Sequence, residues 1–406
     1  MDARSTGVTI AKLRRAAGMT QAQLGERLNI SGKTVSRWES GLGFPEVMQF
    51  PELAKLFGVT VDYLMTGERK GITIAGNIIA DIVKTVDCYP EIGMLANVKE
   101  VQTAVGGCAP NTAIDLAKID KNVPVSVMGR IGDDDYGRYI LSQLSRYNIE
   151  CEQVAVSKDQ PTSFSDVISL PTGERTFFHA RGSNALFSPK DIDIQSISSV
   201  IFHIGYILLL DEMDKYDPKY GTVMARLLHD IQECGIKTSI DVVSDSTADY
   251  KAKILPALKY TNYAIMNEIE STRLTDLDPY NPDGTLNTEN IRKTMEFMAE
   301  QGVKEKIVIH CKEAGFCYDV ATGKFTAVAS INVPSELIKG SVGAGDAFCA
   351  GTLYALYNQF DDKSLLEFAS AAAACNLFAE NSVDGMRPRA EIEKIAEKFG
   401  RKEIKL

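Results

Sequence analysis

From Ile72 onward, short apolar runs alternate with longer stretches of helical spacing, and this rhythm limits the fold more than any other feature of the chain. Residues 72–80, 125–131, 199–204, 238–243, 263–266 and 306–311 read as short strands, apolar throughout as buried parallel strands are. Between them, Val223, Met224, Leu227, Leu228 and Ile231 make one helical face, and residues 353–357 and 365–378 belong to others. The alternation calls for an α/β domain with a doubly wound, mostly parallel sheet over residues 72–406. Two stretches break the rhythm: residues 81–105, and a hairpin of 163–170 with 175–180 about Pro171-Thr172-Gly173-Glu174. Strands there would sit outside the main sheet, as a small β lid over 81–105 and 163–180.

Residues 1–67 show a different pattern, that of a small all-α domain of short helices. Ile10, Leu13, Ala16 and Ala17 share one helical face before Gly18 stops the helix. Thr20 and Ser31 read as N-caps, the second opening a helix with Val35 and Trp38 inward and Lys33, Thr34, Ser36 and Arg37 outward. Charge separates the two regions as well. Residues 1–70 hold ten Lys/Arg against seven Asp/Glu, so a chain of net charge −10 leaves −13 for residues 71–406. That excess repels a nucleic acid backbone, which confines any DNA contact to the N-terminal segment.

The runs Leu13-Arg14-Arg15, Met19-Thr20-Gln21-Ala22-Gln23-Leu24, Ile30-Ser31-Gly32-Lys33-Thr34-Val35-Ser36-Arg37-Trp38-Glu39-Ser40-Gly41 and Val61-Asp62-Tyr63-Leu64 carry a family resemblance. The segment resembles the lambda-repressor-like (Cro/XRE type) helix-turn-helix family, which implies double-stranded DNA as partner. Lys33, Thr34 and Ser36 would face base edges, and Gln21 and Arg37 would reach phosphates. A small helical bundle that contacts protein instead is the alternative. Residues 68–71 form a short linker to the second domain, so the two domains should sense each other's orientation.

No apolar run approaches the ~18–20 residues that span a bilayer, and the polar start, Met1-Asp-Ala-Arg-Ser-Thr-Gly, lacks the apolar core of a secretory signal. The expectation is a cytoplasmic protein with no membrane partner. The eight cysteines form no Cys-x-x-Cys pair and have no histidine at ligand spacing, so they read as reduced core thiols.

The chemistry concentrates at Gly343-Ala344-Gly345-Asp346-Ala347-Phe348, ahead of a helix rich in small residues. Two glycines let backbone approach a phosphate, and the amides of a helix start point at it. Asp346 is placed to accept a proton from an attacking hydroxyl; the alternative is a glycine turn with Asp as a helix cap. Three further motifs are Gly106-Gly107-Cys108-Ala109-Pro110-Asn111-Thr112-Ala113, Gly129-Arg130-Ile131-Gly132-Asp133-Asp134-Asp135-Tyr136-Gly137, and Asn267-Glu268-Ile269-Glu270. The acidic triplet Asp133 to Asp135 lacks calcium-loop spacing and reads as a solvated turn and helix cap. Arg175 and Arg181, on the supposed lid, either pair with an anionic sugar or are solvated.

Together these motifs resemble the ribokinase-like (PfkB) family of carbohydrate kinases. The resemblance implies Asp346 as catalytic base and Gly343, Ala344 and Gly345 as an anion hole. It implies Asn267 and Glu270 as holders of Mg²⁺ through water, and Asp81, at the end of the first strand, with Gly106, Gly107, Asn111 and Arg175 around the sugar. Gly315 and Ser370 fall where the family surrounds the adenine of ATP. A monovalent cation is also implied, but Gly340-Ser341 stands where the family usually has Asp-Thr, and Lys312 stands where nucleotide-proximal loops usually show Gly. The expected activity is ATP-dependent phosphorylation of a sugar or sugar-acid hydroxyl, in a protein that binds DNA as a homodimer. The alternative is a sugar-responsive transcriptional regulator whose kinase domain senses with little turnover.

Overall fold

The helix signals of the N-terminal segment are realised one by one in the computed structural model, which describes residues 2–170, 174–243 and 249–404. Contacts divide the chain into two units, residues 1–71 with 193–200, and residues 72–192 with 201–406. In the first unit α1 (Ala3–Ala16) starts on Asp2, α2 (Gln21–Arg27) on a capping box of Thr20 with Gln23, and α3 (Gly32–Glu39) on Ser31. Two more helices follow, α4 (Gln49–Phe57) and α5 (Val61–Thr66). Ile10, Leu13, Leu24, Val35, Trp38, Leu53, Phe57 and Leu64 form their common core.

Ala16 and Ala17 do not continue the buried face of α1; both are exposed. Arg14 takes that side instead, buried by an ion pair. Its Nε and Nη2 donate to the two Glu39 carboxylate oxygens at 2.5 and 2.8 Å, and its Nη1 donates to the Met19 carbonyl at 2.6 Å. Gln21 Nε2 adds a third donor to Glu39 at 2.8 Å. Burial opposes a charged Glu39, but the bonds from Arg14 and Gln21 outweigh it and hold the carboxyl below its usual range.

The second unit opens with β1 (Ile72–Ala75), β2 (Ile79–Val86), β3 (Val98–Gly106), α6 (Cys108–Ile119), β4 (Val125–Gly132), α7 (Asp135–Arg146) and β5 (Val154–Ser157). Next come β6 (Ser163–Ser169), β7 (Arg175–Ala180), β8 (Ile201–Ile207), the two-residue strands β9 (Tyr216–Asp217) and β10 (Gly221–Thr222), α8 (Val223–Glu233) and β11 (Lys237–Val242). The chain continues through α9 (Tyr250–Leu258), β12 (Tyr263–Asn267), α10 (Glu268–Thr272), α11 (Thr288–Glu300), β13 (Lys306–His310), β14 (Ala314–Asp319) and β15 (Lys324–Ala329). Two long helices, α12 (Ala344–Tyr357) and α13 (Asp362–Asn376), close the core.

Among the described residues the main sheet has nine strands in the order β15-β14-β13-β12-β11-β8-β1-β4-β5. All its pairs are parallel except β13 with β14 and β14 with β15, an antiparallel edge that the alternation of strand and helix does not announce. The lid is a separate four-stranded sheet, β3-β2-β6-β7.

The run 72–80 is two strands, not one. Gly76, at φ 136°, takes a backbone that other residues rarely adopt and turns the chain out of the main sheet. Asn184, buried at 1% exposure, then stands in for a sheet neighbour. Its Oδ1 accepts from the Ile78 N–H and its Nδ2 donates to the Ile78 carbonyl, both at 3.1 Å. Asp81 therefore lies within β2 of the lid, not at the end of the first strand. In the hairpin turn, Pro171, Thr172 and Gly173 lie outside the described residues, while β6 and β7 pair antiparallel on either side. The acidic triplet caps as expected: Asp134 accepts from the Gly137 N–H at 2.9 Å at the start of α7.

Candidate active site

α12 begins at Gly343, whose φ of 78° is left-handed and whose missing Cβ would lie 2.6 Å from the Ser382 Cα. Only glycine fits both constraints, and the result is a helix N-terminus brought close to the loop at Ser382. Asp346 sits in the first turn at 5% exposure. Asn111 of α6 donates from Nδ2 to its Oδ2 at 2.9 Å, and the Tyr206 hydroxyl donates to Oδ1 at 3.2 Å and Oδ2 at 3.5 Å. Burial raises the Asp346 pKa, and these two donors work against the rise. Tyr206 escaped the sequence reading because nothing in the run Ile204-Gly205-Tyr206 marks its hydroxyl as aimed at a residue 140 positions on.

Two cavities flank the loop before this helix. One, of about 470 Å³, lies under the lid, lined by Asp81, Ala104, Arg175, Lys339, Val342 and Ser382 among others. The other, of about 550 Å³, is lined by His310, Ile331, Ser341, Gly345, Phe348 and Ser370 among others. Successive residues thus face opposite ways, Val342 to the lid cavity and Ser341 and Gly345 to the second, so groups bound in the two would approach each other across the helix start.

On the lid side, Gly106 makes room for Asp81, since a Cβ there would lie 2.2 Å from the Asp81 Oδ2. Gly107 caps α6 against the Asn77 carbonyl, and Arg175 donates to the Glu380 carbonyl at 3.3 Å while facing Asp81 electrostatically. Burial, helped by the charge of Asp346 and opposed by Arg175, pushes the Asp81 pKa up to about 7. A carboxyl raised in the folded chain favours folding below its unfolded value of 3.8, and loses that advantage as pH rises to about 7. Asp81→Asn should therefore raise the melting temperature at pH 8 and leave it nearly unchanged at pH 4; equal shifts at both values would exclude a buried, titrating Asp81.

In the second cavity, the Ser370 hydroxyl is buried without a hydrogen-bond partner among the described residues, an open valence for a bound polar group. Gly315 does not line this space. It lies within β14, where a Cβ would meet the Phe348 ring at 3.2 Å, so its smallness serves packing behind the cavity. Asn267 and Glu270 cap each other across the start of α10, with side chain to backbone distances of 2.8 and 3.0 Å. Asp241, at the end of β11, is buried so that its pKa rises well above the usual range, with Glu270 and Asp346 adding to the rise. Negative charge thus gathers around Asp241, a residue that the sequence motifs did not single out, and a cation nearby would relieve it.

Among the described residues no group of three or more His, Cys, Asp or Glu side chains is arranged to hold a metal ion. Cys108, Cys317, Cys349 and Cys375 are core thiols as expected, but Cys151, Cys234 and Cys311 are only half-buried, and Cys88 is exposed because it lies in the lid loop after β2.

In the N-terminal unit, Lys33, Ser36 and Arg37 are exposed on α3 opposite Val35 and Trp38, and Thr34 is half-buried, bonded to the Ser31 hydroxyl at 2.9 Å. Gln21 is committed to Glu39 in this structure.

Residues 70–388 match the pfkB family carbohydrate kinase. The chain belongs to that family. Residues 10–64 match a helix-turn-helix, so the pfkB domain is preceded by a helix-turn-helix domain of the Cro/XRE type. This pfkB-family chain is similar to a ribokinase of Arabidopsis thaliana, 23% identical over 326 residues that cover 80% of each protein. It is also similar to fructokinase-1 of Zea mays, 24% identical over 349 residues covering 82% of this chain and 100% of the relative. Among solved structures, Arabidopsis thaliana ribokinase complexed with ribose and ATP superposes with a TM-score of 0.66 at 20% identity, over 80% of this chain and 98% of that one. The nine-stranded sheet with its four-stranded lid is thus the ribokinase-like fold. No helix among the described residues is long and apolar enough to cross a membrane.

Proposed function

We propose that the chain transfers the γ-phosphoryl group of ATP to a hydroxyl of a sugar or sugar acid, and that its helix-turn-helix domain binds a specific DNA sequence. The observation that carries the first half is the pair of cavities on either side of residues 341–345, with Asp346 buried in the first turn of α12 directly after them and lining neither cavity itself. The sugar would lie under the lid against Asp81, Gly106, Gly107, Asn111 and Arg175. ATP would occupy the second cavity, with the Ser370 hydroxyl toward its base. Asp346 takes the hydroxyl proton as the sugar oxygen bonds to phosphorus and the bridging bond to ADP breaks. The first-turn amides of Gly343, Ala344 and Gly345 stabilise the charge on the transferring group.

A magnesium ion would be held, through water, by Asn267 and Glu270, beside buried acids that a cation suits; when bound it neutralises phosphate charge. Gly340 removes the carboxylate that the family usually offers a monovalent cation, so we propose no such ion here. Closure of the lid would exclude water that competes for the phosphoryl group. The test is ATP consumption against a panel of sugars and sugar acids.

A second reading, a sugar-responsive regulator with little turnover, is favoured by Lys312 on the wall of the nucleotide cavity. ATP consumption with no sugar in the panel above background would favour it.

DNA affinity rests in this proposal on the exposed groups of α3, with Lys33 and Arg37 as the charged groups and Thr34 and Ser36 beside them. Gln21 joins only by releasing Glu39. A homodimer would align two such helices with half-sites one helical turn apart. Replacing both Lys33 and Arg37 with alanine should weaken binding to DNA from the gene's own neighbourhood, and reduce the log-log salt slope by about 0.9 for each phosphate no longer neutralised. Titration of that DNA, with mass followed by light scattering, reads affinity and the dimer together; a wild-type protein that binds no fragment at low salt would refute the assignment.

A further inference from the structure

Tyr206 has a backbone that needs explaining. Its φ is 57°, and that of Leu208 is 92°, both in the left-handed region that bulky L-residues adopt only where their surroundings impose it. The surroundings do so. Leu209 N–H bonds to the Tyr206 carbonyl at 3.1 Å, Leu208 N–H bonds to Asp214 Oδ1 at 3.3 Å, and Gly205 passes so close to α6 that a Cβ would lie 2.9 Å from the Cys108 Sγ. The turn at the end of β8 thereby delivers one phenol to one carboxylate.

The hydroxyl lies 3.2 and 3.5 Å from the two oxygens of Asp346, so it spans the carboxylate's open edge and does not serve a single oxygen. Orientation of the base is already provided by Asn111 at 2.9 Å, a shorter and stronger bond. A phenol is also an alcohol, donating one O–H as a sugar hydroxyl does. We infer that Tyr206 holds the acceptor's position on Asp346: it occupies the base while no sugar is bound, keeps water off it, and is displaced by the incoming sugar hydroxyl.

This inference rests on Asp346 being the base of the proposed kinase reaction. The length of the two bonds makes them easy to exchange, and Tyr206 is only half-buried. The phenol stays protonated throughout, because burial and the charges of Asp346, Cys108, Asp241 and Glu270 all disfavour its anion. Asp81 and Asp115 also face Asp346, but each meets it only through its charge. Without Tyr206, a water can sit on the base. Its oxygen bonds to the γ-phosphorus, the bridging bond to ADP breaks, and Asp346 takes the proton.

The experiment compares ATP hydrolysis without sugar in the full-length wild type, in Tyr206→Phe, and in Tyr206→Asn, which accepts the left-handed backbone but is too short to reach the base. Melting curves check the fold of each variant. The expected result is sugar-free hydrolysis raised about tenfold or more in both variants, and returned to the wild-type level when Asp346→Asn is added. Unchanged hydrolysis in both folded variants, or a rise that survives Asp346→Asn, overturns the inference. If the wild type phosphorylates a sugar while the variants hydrolyse no faster, the kinase reading stands and Tyr206 loses this role. If the wild type phosphorylates none while the variants hydrolyse ATP through Asp346, Tyr206 keeps its role of holding water off Asp346, but its displacement by a sugar is overturned together with the kinase reading.

Discussion

Asp346→Asn is expected to lower phosphoryl transfer by about 10²- to 10⁴-fold, the usual cost of losing a general base. The substitution is nearly isosteric, and the new amide still offers an oxygen to the Asn111 Nδ2 that now donates to Asp346 at 2.9 Å. Sugar and ATP affinities should therefore stay within a few-fold of the wild type. Stability at neutral pH should rise slightly, because burial lifts the Asp346 pKa and the variant no longer carries a charge that the folded chain disfavours. Steady-state kinetics give the first value, calorimetry with sugar and with ATP the second. A variant that turns over at the wild-type rate removes Asp346 from the mechanism.

The second large effect is expected far from the chemistry, at Glu39. Glu39→Ala strips both carboxylate acceptors from Arg14, whose side chain is only 10% exposed, and leaves a guanidinium buried with the Met19 carbonyl. Breaking one side of such a pair costs about 3–5 kcal/mol. A unit of about seventy residues has little more than that to lose, since small cores bury a modest share of their surface. The helix-turn-helix should then be largely unfolded at 25 °C and the proposed DNA binding lost, while the pfkB unit keeps its own melting transition and the proposed ATP turnover. Differential scanning calorimetry decides it: a helix-turn-helix transition unmoved by Glu39→Ala would mean that the pair contributes nothing. The wild-type contribution is present above the unfolded glutamate value of 4.5 and lost as pH falls below it, because the folded pKa is depressed.

The parts of the structure that were legible in the sequence are those governed by local chemistry. Caps at Thr20 and Ser31, the apolar runs of the parallel strands and the small-residue start of α12 each depend on residues within a turn or a strand of one another. The double glycine at 106–107 entered through the family resemblance, as part of the sugar's surroundings, and that Gly106 makes room for the Asp81 carboxylate on the neighbouring strand was not readable. What stayed hidden depends on distant partners. The break after Ala75 is held by Asn184, over a hundred positions away, and apolarity alone cannot separate one long strand from two short ones. Tyr206 and Asp241 are ordinary residues at the ends of strands, and they matter because the sheet order brings those ends beside α12. Ala16 and Ala17 fit a helical stripe, but a buried charge took the place that hydrophobicity assigned to them.

The crossing from β1 to β2 takes only three residues, and Asn184 grips both polar groups of the last of them. A single polypeptide segment is thus at once an interior strand of the main sheet and the root of the lid. The lid is in this sense a paddle on a fixed axle: its blade can be rewritten, residue by residue, without disturbing the bearing. A lineage that changes its sugar can alter the cavity face of β2, β3, β6 and β7 while Gly76 and Asn184 stay as they are, so diversity among such proteins should gather on the blade and thin out toward the axle.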